Sequence, residues 1–316
     1  MDAGPLKHII NNRAELFAEL RTRQDIIGDY VRGVALRYST GLYLFGRPGT
    51  AKTHTVRAVL DGELNEPYVY RHGHLTPGGL FDLLAEHPEA LIVLDDLVDV
   101  FRSDIALQIL LSALEAPTNP DRTRVVQYQR KGSKESVAFR GGIVCITNRE
   151  LHSHDLLGAF KSRVHILKYD PSDAHIGAHL LASAELGWPP GASEPAVPAS
   201  ETKEVAMHVL SEMIRLGTRF DLRVFYSKAI PDYLQWSDGE TRCHWKDLVT
   251  ASIQEHLIEL QHHGEQLSRD EKKKNEASLI LEIIKQHPDR REQVEVWKKR
   301  TGKSSRAFYR RLQETG

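Results

Sequence analysis

A glycine-rich segment between an apolar run and a helical pattern is the feature that most constrains how this 316-residue chain can fold. The apolar run comprises residues 41–45, the helical pattern comprises residues 53–60, and Gly-Arg-Pro-Gly-Thr-Ala-Lys-Thr occupies residues 46–53. A strand, a glycine-rich turn and a helix in this order place backbone N–H groups at a helix N-terminus, where they bind phosphate. The segment predicts an α/β fold with a nucleotide-binding loop; the alternative is a capped helix without a ligand.

The contacts expected from this loop follow from the chemistry of its side chains. Lys52 would reach the β- and γ-phosphates and the hydroxyl of Thr53 would ligate Mg²⁺, so ATP and Mg²⁺ are the predicted cofactors. Ala51 stands where the GxxxxGK[ST] pattern has its last glycine, and its methyl group is tolerable there if the backbone φ stays negative. The full set of predicted nucleotide contacts is Gly46, Arg47, Pro48, Gly49, Thr50, Ala51, Lys52, Thr53 and His54.

Two further apolar runs end in polar residues that suit the same chemistry. Residues 91–94 precede Asp95 and Asp96, and residues 142–147 precede Asn148. Such runs are typical of buried strands in a parallel sheet, where ligands bind beyond the carboxyl ends of the strands. We expect Asp95 to hold Mg²⁺ through water and Asp96 to orient or deprotonate the attacking water. An ordinary exit from a strand into a turn is the alternative for the two aspartates.

In this order the three motifs resemble those of the AAA+ ATPase superfamily, over roughly residues 20–255. The resemblance implies that Asn148 is the sensor-1 residue, which positions the hydrolytic water near the γ-phosphate. It also implies hydrolysis of ATP by a ring or helical homo-oligomer. Asp96 departs from the pattern of many P-loop ATPases, which have glutamate there, and its shorter side chain reduces its reach to the water.

Two arginines extend the resemblance. Ala159-Phe160-Lys161-Ser162-Arg163, followed by a strand-like run, resembles the AAA+ arginine-finger position, so Arg163 would act on ATP held by a neighbouring subunit. Phe220-Asp221-Leu222-Arg223 resembles the start of a sensor-2 helix, so Arg223 would contact the γ-phosphate within its own subunit. Arg149 and Arg219 are the nearby alternatives, and a solvated surface charge is the other interpretation of either position.

A predicted β-hairpin lies directly before the Asn148 strand. Residues 124–129 and 136–139 have strand-like patterns on either side of the turn-rich residues 131–134. The hairpin is similar to the pre-sensor-1 hairpin of one AAA+ branch, which includes helicases and RuvB-like motors. Arg130, Lys131 and Lys134 at its tip suit a phosphate backbone, although a solvated hairpin tip explains them equally well.

The C-terminal segment is basic and has a helical plan of its own. Residues 271–316 contain thirteen Lys or Arg against seven Asp or Glu. Apolar residues at helical spacing predict three short helices, with Gly302 in the turn before the last, which is a helix-turn-helix pattern. The segment resembles the helix-turn-helix tails of some bacterial and mobile-element proteins. The residues expected to contact double-stranded DNA are Lys303, Ser305, Arg306, Tyr309 and Arg310. A basic bundle that binds a protein is the alternative.

The predicted fold class is α/β: a parallel sheet bearing the phosphate loop, flanking helices, a helical lid and a small all-α helix-turn-helix domain at the C-terminus. Before the sheet, the apolar spacing predicts two helices, over residues 9–20 and 26–36. The predicted domains are N-terminal helices at 1–38, an AAA+ nucleotide-binding core at 39–170, a helical lid at 171–260, a linker at 261–275 and a helix-turn-helix at 276–316.

Composition narrows the class of protein. The hydrophobic fraction of 41% can supply a sizeable core, and two cysteines do not make a disulfide scaffold. No apolar run reaches transmembrane length and no signal peptide is visible, so a cytoplasmic protein without a membrane partner is expected.

These observations predict an AAA+ ATPase that serves a DNA transaction, such as replication initiation, helicase loading, transposition or remodelling. Possible protein partners are a helicase, a transposase or a substrate protein. The alternatives are a protein-remodelling or chaperone-like AAA+ ATPase with a protein-binding basic tail, and an ATP-dependent transcription regulator. A small-molecule kinase would explain residues 46–53 but not the later motifs.

Overall fold

The computed structural model describes residues 4–62, 64, 67–97, 99–130, 133–151, 155–190, 192–255, 279–280, 283–284, 287, 289–301 and 304–315. These residues fall into two compact units, Met1–Thr250 and Ala251–Gly316. The predicted linker at residues 261–275 lies outside the described part of the chain. None of the helices described is long and apolar enough to cross a membrane.

The first unit contains a five-stranded sheet in the order β2-β3-β6-β1-β7, in which every neighbouring pair is parallel. The strands are β1 (Gly41–Phe45), β2 (Tyr68–His72), β3 (Leu91–Asp95), β6 (Ile143–Thr147) and β7 (His165–Lys168). The three central strands β3, β6 and β1 are buried along their whole length, whereas β2 and β7 lie at the edges and are partly exposed. Continuous apolar runs are what burial on both faces of a parallel sheet requires, so the predicted α/β parallel sheet is confirmed.

Helices α2 (Arg13–Ala35) and α3 (Lys52–Gly62), before and after β1, cover one face of this sheet. The short helix α1 (Gly4–Asn11) precedes them and packs against α2 and against later helices of the chain. The two helices predicted at residues 9–20 and 26–36 are wrong in their boundaries, because α2 continues through the polar residues 21–25. The helix survives there because Leu20, Gln24, Ile27 and Val31 stay buried at spacings of three and four, so the intervening charges face solvent.

The other face is covered by helices and by the hairpin. The helices are α4 (Pro77–Glu86), a 3₁₀ turn at Val100–Arg102, α5 (Asp104–Ala113) and α6 (Asp155–Lys161), and the hairpin strands are β4 (Arg124–Arg130) and β5 (Ser133–Phe139). The hairpin is therefore present, with Val126 and Phe139 fully buried in the core beneath it. Arg130 is not a free cation at its tip, because its guanidinium forms an ion pair with Asp82 of α4 at 2.8 Å. Lys131 lies outside the described residues.

Helices follow the last strand, as predicted. They are α7 (Asp173–Ala184), α8 (Ala199–Arg215), α9 (Leu222–Val224), a π-helical turn at Phe225–Ala229, α10 (Ile230–Ser237) and α11 (residues 245–255). Between α7 and α8 the chain forms a short antiparallel bridge from Trp188 to Val197. The predicted boundaries of the lid at 171–260 stay a prediction.

The second unit has its own small core. Its described helices are α12 (Arg290–Thr301) and α13 (Ser305–Thr315), and residues 279–280 and 283–284 are also helical. The core consists of Ile280, Ile283, Val294, Trp297 and Phe308, and the rings of Trp297 and Phe308 lie 5.9 Å apart. Apolar residues of all the described helical segments therefore pack together, while Gly302 and Lys303 lie outside the described residues.

Candidate active site

The strand order brings the three sequence motifs to one edge of the sheet. Strand β6 lies between β1 and β3, so the loops that leave these strands at their carboxyl ends are neighbours. A cavity of about 540 Å³ opens there. Its polar end is formed by residues 49–54, Asp95, Asp96, Asn148 and Arg223. The site is built where parallel α/β sheets bind ligands.

The loop after β1 is held by close backbone packing. Gly49 has a φ of +69°, and a Cβ atom added there would lie 1.8 Å from Oδ1 of Asp221. A Cβ atom at Gly46 would lie 1.8 Å from the carbonyl oxygen of Tyr169. Both positions therefore require glycine for steric reasons.

The condition set for Ala51 is not met, because its φ is +68° and not negative. The residue adopts the left-handed conformation that glycine accommodates and that costs a residue with a Cβ atom free energy. The loop must turn at this point so that α3 can begin at Lys52. The backbone geometry of the glycine pattern is thus kept although the glycine itself is absent.

Replacing Ala51 with glycine should raise the free energy of unfolding by about 1 kcal/mol, because it relieves the strained φ. Urea unfolding followed by circular dichroism measures the change. The matched control is Ala58→Gly, at an exposed helical position in the middle of α3, where glycine should lower the free energy of unfolding by about 1 kcal/mol. Destabilisation by both substitutions would contradict the strain assigned to Ala51.

The amino end of α3 is suited to an anion. The first hydrogen bond of the helix runs from the N–H of Thr55 to the carbonyl of Ala51, at 2.9 Å. The N–H groups of Lys52, Thr53 and His54 therefore precede the helical hydrogen-bond ladder and carry the positive end of the helix dipole. These groups can bind the oxygens of a phosphate.

Lys52 is buried beneath the loop, with 6% of its surface exposed. Its ammonium group donates to the carbonyl oxygens of Gly46 at 2.8 Å and Arg47 at 2.7 Å, and to Oδ1 of Asn148 at 3.0 Å. Burial lowers the pKa of Lys52 to about 8, although the negative charge of Asp96 counteracts this. A phosphate beside the ammonium group would supply the charge that these neutral oxygens lack.

Asp95 and Thr53 form the predicted metal-binding pair. The hydroxyl of Thr53 donates to Oδ2 of Asp95 at 2.9 Å, and Asp95 is buried, with 5% of its surface exposed. Hydroxyl and carboxylate oxygens are the hard donors that Mg²⁺ takes together with substrate phosphates, so these residues fit the ion. The hydroxyl of Tyr70, on β2, also donates to Oδ2 of Asp95. Sequence reasoning missed Tyr70, because no pattern in β2 indicates that its hydroxyl reaches the end of β3.

The side chains of Asp96 and Asn148 are hydrogen-bonded to each other. The side-chain amide of Asn148 is 3.2 Å from both carboxylate oxygens of Asp96, and its other end accepts from Lys52. Asp96 has a φ of +53°, a conformation that aspartate tolerates better than most residues. Lys52, Asn148 and Asp96 thus form one continuous hydrogen-bonded series across the polar end of the cavity.

Arg47 does not turn its side chain toward the cavity. Its guanidinium donates to the carbonyl oxygens of Pro171 and Phe220, at 3.0 Å each, and forms an ion pair with Asp173 at 2.8 Å. The side chain therefore links the loop to the start of α7 and to the segment that follows α8. Only the backbone of Arg47 is left for the predicted nucleotide contact, and Pro48 does not line the cavity.

The arginines predicted from the resemblance lie in different places. Arg223 is exposed at the start of α9 and lines the cavity, and its positive charge contributes to the lowered pKa of Lys52. Arg163 lies just before β7, beyond the opposite edge of the sheet, where it forms an ion pair with Glu115 at 2.8 Å. Of the alternatives, Arg149 directly follows Asn148 and is exposed, and Arg219 pairs with Asp173 at 3.2 Å.

The other end of the cavity is aromatic. The rings of Trp188 and Tyr226 lie 5.3 Å apart, and the side chains of Pro190 and His179 complete this wall. Burial lowers the pKa of His179 to about 4, so its ring is neutral at physiological pH. Its buried Nδ1 atom has no hydrogen-bond partner in the described part of the chain. None of these residues belongs to one of the sequence motifs, and Trp188 lies in the segment between α7 and α8.

No protein-family model matches the chain, and a comparison with curated proteins finds no relative. Solved structures similar to it include a point mutant of Thermotoga maritima RuvB, at 12% identity and a TM-score of 0.33 over 66% of this chain and 68% of that one. Another is C. elegans PCH-2, at 15% identity and a TM-score of 0.33 over 79% and 69%. Likeness at this level does not assign the chain to a family, so its function has to be argued from the site itself.

Proposed function

We propose that the chain binds Mg·ATP in this cavity and hydrolyses it. The observation that carries the proposal is the hydrogen-bonded series from Lys52 through Asn148 to Asp96, beside the Thr53–Asp95 pair. A buried cation, two carboxylates and an amide converge on a helix N-terminus that offers unpaired N–H groups. This combination serves phosphoryl transfer, in which catalysis is almost entirely positioning and electrostatic stabilisation.

Lys52 would supply the charge on the phosphate chain. Its present acceptors are neutral oxygens of Gly46, Arg47 and Asn148, so a phosphate oxygen is a stronger competitor for the ammonium group. The N–H groups at the start of α3 would hold the same phosphates. Arg223 enters from the side of α9 and would approach the terminal phosphate.

Asp96 and Asn148 would manage the attacking water. The amide of Asn148 holds the Asp96 carboxylate from one side at 3.2 Å, which leaves carboxylate lone pairs to accept a water proton. Asp96 would orient this water and accept its proton as the water oxygen bonds to the terminal phosphorus and the bond from that phosphorus to the departing ADP breaks. Mg²⁺, held by Thr53 and Asp95, would neutralise charge on the phosphate oxygens.

The residues that line the two ends of the cavity indicate how a nucleotide would lie. Phosphates would occupy the polar end at residues 49–53, and the base would lie against Trp188 and Tyr226. Aromatic rings stack favourably on any of the bases, because every base has a flat π-face. The neutral ring of His179 could then exchange a hydrogen bond with the edge of the base.

We further propose that the chain works as an AAA+-type homo-oligomer. Strand β6 places Asn148 between the phosphate loop and the acidic strand, as the sensor-1 interpretation requires. Arg163 cannot reach its own site, because His165 is in register with Leu42 at the start of β1 whereas the loop follows Phe45. Only a second copy of the chain could bring its site to this arginine.

The second unit supports a role in a DNA transaction. On α13, Arg306, Tyr309 and Arg310 are exposed, whereas Phe308 is fully buried against Trp297. A short helix with its polar, basic residues on one face can enter a major groove and contact phosphates and base edges. We propose that this face binds double-stranded DNA, and the helix-turn-helix assignment is part of that proposal.

An ATPase assay with and without double- and single-stranded DNA, combined with light scattering to measure particle size, tests these proposals together. We expect Mg²⁺-dependent hydrolysis, stimulation by DNA and particles larger than a monomer. Hydrolysis without any effect of DNA would favour the alternative of a protein-remodelling ATPase. Absence of both nucleotide binding and hydrolysis would overturn the proposed function.

Replacing Arg306 with alanine should weaken duplex binding by about 1–3 kcal/mol if the side chain reads a base, and by less if it only meets a phosphate. Fluorescence anisotropy with labelled duplexes, over a series of salt concentrations, measures the loss. Lys298→Ala is the charge-matched control, because Lys298 is exposed on α12 and not on the α13 face. Equal losses in the two variants would contradict the assignment of the α13 face.

A further inference from the structure

We propose that Tyr70 is a positioning residue for the metal site, holding the Asp95 carboxylate in the orientation that binds Mg²⁺. The inference rests on the proposed Mg·ATP site and adds to it a residue that no motif contains. Its basis is that the hydroxyls of Tyr70 and Thr53 donate to the same oxygen, Oδ2 of Asp95. The two donors come from different elements, since Tyr70 lies on β2 and Thr53 on α3.

The arrangement of the donors fixes which oxygen is left for the metal. With both hydroxyls on Oδ2, the other oxygen of Asp95 has no hydrogen bond within the described part of the chain. A carboxylate held by one hydroxyl alone can rotate about its χ2 angle, whose energy wells are broad. A second donor restricts that rotation. Partners behind a ligating carboxylate are known to set metal affinity in this way.

The ring of Tyr70 is itself held in place. The guanidinium carbon of Arg57, on α3, lies 4.1 Å from the centre of the Tyr70 ring. Strand β2 pairs with β3 so that Tyr70 is in register with Val93, two residues before Asp95. The phenol is therefore clamped between its strand and the helix that carries Thr53, and it cannot easily withdraw its hydroxyl from Asp95.

Chemistry favours a positioning role over a catalytic one. The hydroxyl of Tyr70 acts as a hydrogen-bond donor to the Asp95 carboxylate. Within the described part of the chain, this hydroxyl forms a hydrogen bond with Asp95 and none with Asp96 or Asn148, which are assigned to the water. Loss of the hydroxyl should weaken the binding of Mg²⁺ and leave the proposed contacts of Lys52 with the phosphates unchanged.

The test compares Tyr70→Phe with the matched control Tyr68→Phe in the full chain. Tyr68 lies on the same strand and donates to Asp61 at 2.6 Å, so its replacement also removes a tyrosine–aspartate hydrogen bond, but away from the site. Two quantities are measured: the Mg²⁺ concentration for half-maximal ATPase activity, and the affinity for fluorescent ADP with Mg²⁺ and with EDTA. Thermal unfolding verifies that each variant is folded.

We expect Tyr70→Phe to raise the half-maximal Mg²⁺ concentration about tenfold or more and to reduce the strengthening of ADP binding by Mg²⁺. Affinity in EDTA and activity at saturating Mg²⁺ should stay close to those of the parent. Tyr68→Phe should match the parent throughout. If Tyr70→Phe also matches the parent, or lowers ADP affinity equally with and without Mg²⁺, the positioning role is refuted. A parent protein that binds no ADP at all would instead refute the proposed function on which the inference rests.

Discussion

Replacing Lys52 with alanine should reduce ATP turnover by about 10²–10³-fold or more, the range found when one preorganised charge-stabilising donor is removed. The ammonium group of Lys52 is buried beneath the loop after β1, where it donates hydrogen bonds to oxygens of Gly46, Arg47 and Asn148. Its loss would remove the proposed donor to the oxygens of the β- and γ-phosphates. Steady-state ATPase kinetics and titration with fluorescent ADP measure the two consequences.

Asp96→Asn separates the chemistry from binding in the same assays. The substitution keeps the shape of the side chain but removes the negative charge that accepts a water proton, so ATP should still bind while hydrolysis is lost. Lys52→Met is the control for lost packing, because methionine fills the volume of the lysine stem but has no charge. It should lose activity as Lys52→Ala does if the charge is what matters. A Lys52→Ala protein that hydrolyses ATP as well as the parent would show that the cavity is not the active site.

Apolar patterning marks the centre of the sheet more plainly than its edges. Strands β1, β3 and β6 have apolar runs because they are buried on both faces, and such runs are recognised in isolation. The edge strand β7 has exposed polar residues at both ends, so its pattern alone is weaker. The break between the first two helices was misplaced because a run of charges at residues 21–25 can lie on the solvent face of one long helix.

The candidate site also contains residues that were predictable from the sequence and residues that were not. Lys52, Asp95, Asp96 and Asn148 were predicted as site residues because each follows an element whose end is marked in the sequence, and the structure places them together. Their roles stay predictions. The positive φ of Ala51 was not predictable, because the loop geometry outweighs the preference of the residue. Tyr70 could not be found either, since its role depends on which strand pairs with β3.

The aromatic wall shows a further limit of sequence patterns. Trp188 and Tyr226 come from a loop and from a π-helical turn that are 38 positions apart in the chain. Neither segment has a spacing that indicates a ligand, and only the folded chain brings the two rings to 5.3 Å from each other. Side chains that bind a base by stacking need no motif, because any flat apolar ring in the right place suffices.

The second large effect is expected at Arg163. Its replacement by alanine should lower turnover by about 10³-fold if it acts on ATP in a neighbouring copy, as arginine fingers do in related phosphoryl transfer. Strand β1 separates Arg163 from the phosphate loop of its own chain by on the order of 10 Å. Mixing Arg163→Ala with Lys52→Ala protein should therefore restore part of the activity, since one kind of mixed interface contains both intact residues.

The ion pair of Arg163 supplies the control that separates a catalytic from a structural role. Arg163 donates to Glu115 at 2.9 Å and to the carbonyl of Ala159 at 2.9 Å, and its loss could simply loosen this edge of the sheet. Glu115→Gln removes the ionic partner but leaves the guanidinium in place. If Arg163 serves only its own chain, both substitutions should lower turnover alike. If it serves a neighbour, Glu115→Gln should stay active.

The surroundings of Arg163 favour the second outcome. It lies in a concavity of about 560 Å³ together with Tyr38, whose side chain is 83% exposed although it is large and aromatic. Tyrosine and arginine are enriched at protein interfaces, so an exposed tyrosine beside a partly buried arginine is typical of a surface that becomes buried when proteins associate. An active protein that stays monomeric at every concentration tested would contradict this interpretation. So would mixtures of the two inactive variants that show no gain over either alone, because complementation requires that the finger and the phosphate loop meet across two chains.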